Sequence, residues 1–122
     1  MPLVVQSNRE SARAVDGIFI PAGEAWRLLH EADPAIAVYG PDKFHPSELG
    51  SFLAALTIYE RLSGRDVRSI PLKAFVGARE IALPAATVGK LHEAAHGAIL
   101  LHQSTNLLPA IVPRSLVHTQ GC

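Results

Sequence analysis

Apolar residues recur at helical spacing in three stretches of the chain. Between Gly23 and Ala32, the residues Ala25, Trp26, Leu28 and Leu29 supply one apolar face. Asp33-Pro34 ends that pattern, because a residue before proline is pushed out of the helical region. A longer run carries Leu49, Phe52, Leu53, Leu56, Tyr59 and Leu62. Ser47 stands where a helix N-cap belongs and Gly64 where a C′ glycine belongs, which makes this the best-defined element. The third run holds Val88, Leu91, Ala95, Ile99 and Leu101, with Pro84 at N1 and an end near residue 102. Gly89 and Gly97 weaken it. Residues 5–14 are polar and fit the end of a further helix.

Strand signals are short. Ile18-Phe19-Ile20, between Val15 and Pro21, is a short continuous apolar run whose β-branched content reads as a buried strand. Ala35 to Tyr39 reads as an extended segment, Gly40-Pro41-Asp42 as a turn and Arg65 to Leu72 as a loop. The tail, with Pro109, Pro113 and Gly121, is apolar but aperiodic. One to three short strands without a sheet would leave their ladder groups unpaired. The pattern therefore predicts an α/β fold, mostly helical, that forms the end of a larger α/β domain.

Composition narrows the function classes. The 122 residues fit one domain, and an apolar share of 48% is enough for a core. Eleven basic residues balance eleven acidic ones with no run of either sign, which argues against a nucleic-acid partner. Cys122 is the single cysteine, so no internal disulfide framework exists. The start has no basic segment followed by an apolar one, and no apolar run approaches the roughly 20 residues of a membrane span. The expectation is a soluble, cytoplasmic protein.

Two constellations carry candidate chemistry. The first is Asp42-Lys43-Phe44-His45-Pro46-Ser47-Glu48-Leu49-Gly50-Ser51. A histidine base needs one ring nitrogen free and the other held by an acceptor that fixes its tautomer. Asp42 and His45 lie close enough on one loop for that contact, and Pro46 restricts His45 to an extended backbone. Ser47 reads as the helix cap rather than a nucleophile. The plain alternative for the whole stretch is a polar turn before a helix.

This stretch, continued through Phe52-Leu53-Ala54-Ala55, resembles the C-terminal catalytic block of the SGNH (GDSL-type) hydrolases, in which Asp-x-x-His-Pro-Ser-x-x-Gly-Ser leads into the last major helix. Ile20-Pro21-Ala22-Gly23-Glu24-Ala25-Trp26 is similar to the family's strand-to-helix passage, and Gly64-Arg65 to the end of its last helix. The likeness covers roughly residues 17–65. It implies the C-terminal portion of a flavodoxin-like α/β/α sandwich, with residues 1–72 as the hydrolase segment and 73–122 as a helical extension and apolar tail of the same domain. It further implies metal-free and cofactor-free hydrolysis of a small ester or acylated carbohydrate, with His45 as general base and Asp42 as its partner. The family's nucleophile lies in a Gly-Asp-Ser turn, and this sequence contains neither that turn nor a Gly-x-Ser-x-Gly elbow. The resulting expectation is a partial serine hydrolase that is inactive alone.

The second constellation is His92-Glu93-Ala94-Ala95-His96, followed by His102. On a helix, His92 and His96 share a face and could bind zinc with Glu93 as base, and His102 resembles the third metzincin ligand. Against it, Ile99 stands where the metzincins turn at glycine, no Met-turn exists, and no carboxylate follows Glu93. The alternatives to a hydrolase part are therefore a small zinc peptidase or a non-enzymatic interaction module that completes its sheet with another chain. Self-association through an exposed sheet edge is the corresponding partner expectation.

Overall fold

The computed structural model describes residues 2–71 and 73–103. The aperiodic tail beyond Gln103 lies outside the described residues. The chain is mostly helical: α1 (Pro2–Ala14), α2 (Ala22–Ala32), α3 (Glu48–Ser63) and α4 (Ala85–Gln103). A short 3-10 turn at Val67–Ser69 and a hairpin of β1 (Ala74–Val76) and β2 (Arg79–Ile81) separate α3 from α4.

The core lies where α2, α3 and α4 meet. Ala25 and Leu29 come from α2, and Leu53 and Leu56 from α3. Leu91, Ala94, Ala95 and Ala98 on α4 form an i, i+3, i+4, i+7 stripe against them, and Val67 closes one end. The small side chains of that stripe let the helices approach closely. Gly97 lies on the same helix, and a Cβ there would meet Leu28 Cδ1 at 3.4 Å. The buried face of α4 thus uses Ala94 and Ala98, whereas the expected Leu101 is exposed.

The caps of α3 follow from local chemistry. Ser47 Oγ accepts the Gly50 N–H at 3.0 Å. At the other end Gly64 adopts φ 73° and its N–H bonds Glu60 O at 2.9 Å. Pro84 sits one position earlier than expected: its carbonyl accepts the Val88 N–H at 3.0 Å, so it precedes the first helical residue.

Further sequence expectations are corrected. Ile18-Phe19-Ile20 is not a strand, because no described strand lies beside it to complete a ladder. Its polar groups find other partners: Phe19 O accepts from Arg61 Nε at 3.2 Å, and Ile20 O accepts the Ala22 N–H at 2.9 Å. The hairpin occupies residues for which periodicity gives no signal. Gly77, with φ 61°, opens its two-residue loop as a type II′ turn requires. Finally, Tyr59 and Leu62, expected in the apolar face of α3, are exposed together with Ile58. No described helix is long and apolar enough to cross a membrane.

Candidate functional site

The loop that carries Asp42 and His45 is pinched at its base. Tyr39 and Pro46 form an isolated antiparallel bridge, with the Gly40 N–H on His45 O at 2.8 Å and the Ser47 N–H on Val38 O at 2.9 Å. The short extended segment expected before the turn therefore serves as one side of this clamp. Beneath it the backbones are close: a Cβ on Gly50 would lie 2.1 Å from Val38 O. Trp26 Nε1 donates to Gly50 O at 3.1 Å, and its ring packs edge-on against Tyr39. The loop is thus fixed to α2 and α3, two of the three helices that build the core.

Inside the loop one carboxylate takes three donors. Asp42 Oδ1 accepts the N–H groups of Phe44 and His45, both at 3.0 Å. Asp42 Oδ2 lies 2.6 Å from His45 Nδ1. Lys43 reaches the left-handed region, φ 58°, to make this turn. The imidazole, and then the two backbone donors, hold the Asp42 carboxyl below its ordinary 3.8. With Nδ1 on the carboxylate, Nε2 is the nitrogen left to face a reacting group. The contact between these two residues is the one their spacing predicts. How open they are was not foreseen: the His45 side chain is 74% exposed and that of Asp42 51%.

Ser47 is fully engaged as a cap, accepting from Gly50 and donating to Ala37 O at 2.7 Å, so its structural role holds. A groove of about 680 Å³ runs between α1, α2 and α4, lined by Arg9, Arg13, Glu24, Arg27 and His102 among others. Asp42 and His45 do not line it.

The three expected zinc histidines are not brought together. His102 packs on the Phe19 ring, contacts Arg9 through Nδ1 and lies 3.5 Å from Glu24 Oε2 through Nε2. Six residues separate it from His96, which turns it to another side of α4. Glu93 is solvent-exposed, 3.6 Å from Arg68. His96 instead meets carboxylates that its motif does not contain, Glu60 Oε1 at 2.6 Å and Asp66 Oδ1 at 3.5 Å. These three are the metal-ligand cluster among the described residues. Arg68, first through its side chain and then its backbone N–H, holds the Asp66 carboxyl at about 2. His92 is buried beside them, and desolvation pushes its imidazole down against the fields of Asp66 and Glu93.

Sequence reasoning missed Glu60 and Asp66. A signal existed for Glu60: Leu53, Leu56, Thr57 and Glu60 stand at i, i+3, i+4 and i+7, which puts the carboxylate on the buried face of α3.

Compared with family models, curated proteins and solved structures, the chain matches none.

Proposed function

We propose that this chain is the base-bearing part of an SGNH-type serine hydrolase acting on a small ester or acylated carbohydrate. The observation that carries the reading is the 2.6 Å contact between Asp42 Oδ2 and His45 Nδ1 on a clamped loop. In that role His45 Nε2 takes the proton of a serine as it attacks the substrate carbonyl, then returns it to the leaving alcohol. Asp42 does not take the proton. It fixes the ring tautomer and stabilises the imidazolium that forms.

No Gly-Asp-Ser turn occurs in the 122 residues, so the nucleophile comes from sequence outside them. The fold would then be the C-terminal portion of a flavodoxin-like sandwich. Ile18, Ile58, Tyr59 and Leu62 are exposed apolar residues of the kind that the remaining sheet would cover. His45 itself stands open to water with the Phe44 ring edge-on against it, and an active site of this kind would need further cover to exclude water.

Incubation of the 122-residue chain with a fluorophosphonate probe tests the missing nucleophile. The expected result is no labelled serine. Robust labelling that His45→Ala abolishes would show a complete site in this chain and overturn that part of the reading.

A further inference from the structure

We propose that Glu60, Asp66 and His96, completed by His92, bind one divalent transition-metal cation of the zinc class. The site is separate from the Asp42–His45 loop and does not depend on the hydrolase reading.

The donor atoms already converge. His96 Nδ1 lies 2.6 Å from Glu60 Oε1 and 3.5 Å from Asp66 Oδ1, and the three donor atoms lie within 4.8 Å of one another. Around a tetrahedral cation with bonds near 2.0 Å, donor atoms stand roughly 3.3 Å apart. Only small movements separate this cluster from that arrangement.

A buried, unpartnered oxygen within the cluster points to a ligand independently, and a second orphaned atom lies on the same helix as His96. The Glu60 side chain is 5% exposed, and its Oε2 has no partner among the described residues. His92 is also 5% exposed, one helical turn before His96, and its Nε2 is likewise without a partner. A protonated His96 satisfies only one oxygen of Glu60 and leaves both of these atoms unpaired. A buried polar atom without a partner is costly; a cation on the cluster takes up the Glu60 carboxylate, and a shift of the His92 ring toward it would bring in the second atom.

Charge and support agree with this assignment. Glu60 and Asp66 together neutralise a dication. Arg68 holds Asp66 with its side chain at 2.6 Å and stands 3.6 Å from Glu93, so this outer pair cancels itself while orienting a ligand. Glu60 comes from α3, the two histidines from α4, and Asp66 from the N-cap of the 3-10 turn. Leu56, Val67, Leu91 and Ala95 are all buried in the core that joins those elements. Two imidazoles and two carboxylates favour a transition metal over calcium or magnesium, which prefer all-oxygen shells. Glu93 lies outside the shell, so the geometry supplies no metallopeptidase base.

The test uses the full 122-residue chain, stripped with a chelator and titrated with zinc chloride against a chromophoric competitor. We expect one zinc per chain and no uptake of calcium. Side-chain nitrogen NMR signals of His92 and His96 should move on zinc addition, while those of His45 and His102 stay. A cobalt-loaded sample should lack a thiolate charge-transfer band, which excludes Cys122. Asp66→Asn keeps the turn's cap and should weaken binding at least about 10-fold, and His96→Gln at least about 100-fold, since loss of outer-shell groups alone costs roughly 10–100-fold. If His96→Gln fails to fold, the wild-type spectra and Asp66→Asn decide. No zinc uptake, shifts confined to other histidines, or unchanged affinity in Asp66→Asn would overturn the proposal.

Discussion

Gly50 presses its backbone against the carbonyl of Val38, at the junction where α3 begins beneath the Asp42–His45 loop. A methyl group there would sit 2.1 Å from Val38 O and 3.0 Å from Val38 C, so backbone rather than a flexible side chain would have to yield. Gly50→Ala should therefore separate α3 from the extended segment. It should disturb both the Ser47 N–H to Val38 O bond and the Trp26 bond to Gly50 O. Overpacking of this kind costs about 1–3 kcal/mol, and rigid backbone puts this case at the upper end. Urea unfolding should show that loss, against the gain that alanine normally brings to a helix interior. A neutral or stabilising outcome would contradict the close approach.

The acid limit of the loop follows from Asp42. Its carboxyl is held below 3.8, first by the His45 ring and then by the backbone N–H groups of Phe44 and His45. A depressed folded value means the contribution is complete above 3.8 and is lost as pH falls through the lowered value. The side-chain carboxyl carbon signal of Asp42 should thus show its own protonation step below 3.8. A carboxyl step centred at or above 3.8 would contradict the three-donor arrangement.

Buried ionisable partners respond unequally to removal. His96→Leu strips the Glu60 carboxyl of the imidazole that contacts its Oε1, and breaking a buried pair in this way costs about 3–5 kcal/mol. The double variant Glu60→Leu with His96→Leu should lose less than His96→Leu alone, because no buried charge is left behind. Denaturant melts of the two single variants and the double variant, in the presence of chelator, complete the cycle. Additive losses would show that the two groups do not act as a pair.

The exposed residues Ile58, Tyr59 and Leu62 share one side of α3, and Phe75 and Val76 stand exposed on the hairpin. Concentration-dependent self-association is the expected consequence. Sedimentation velocity should detect it, and Ile58→Lys with Leu62→Lys should reduce it while changing stability by no more than about 0.5 kcal/mol each. Unchanged association in the double variant would move the contact to the hairpin edge.

What was legible in the sequence was local. Ser47 and Gly64 bound α3 because a cap needs only its own neighbours, and Asp42 reaches His45 because three residues across a turn fix the geometry. What required distant partners was not legible. Ile18-Phe19-Ile20 has strand composition, yet a strand exists only where a second one pairs with it. His92 and His96 drew attention through a motif, but the neighbours of His96 are residues 60 and 66, set by how α3 packs on α4 rather than by spacing along α4. The hairpin at 74–81 is too short for periodicity and is signalled only by Gly77.

On the proposed function, Asp42 and His45 serve a serine encoded outside these 122 residues. The direct measurement begins with the DNA immediately upstream of Met1. Its in-frame extension should encode a Gly-Asp-Ser block, and the extended protein is then expressed and treated with a fluorophosphonate probe. The account predicts stoichiometric labelling of that serine, reduced at least about 1,000-fold in rate by His45→Ala, as expected for loss of a triad base. An extended protein without such a block, or labelling that is indifferent to His45, would contradict it.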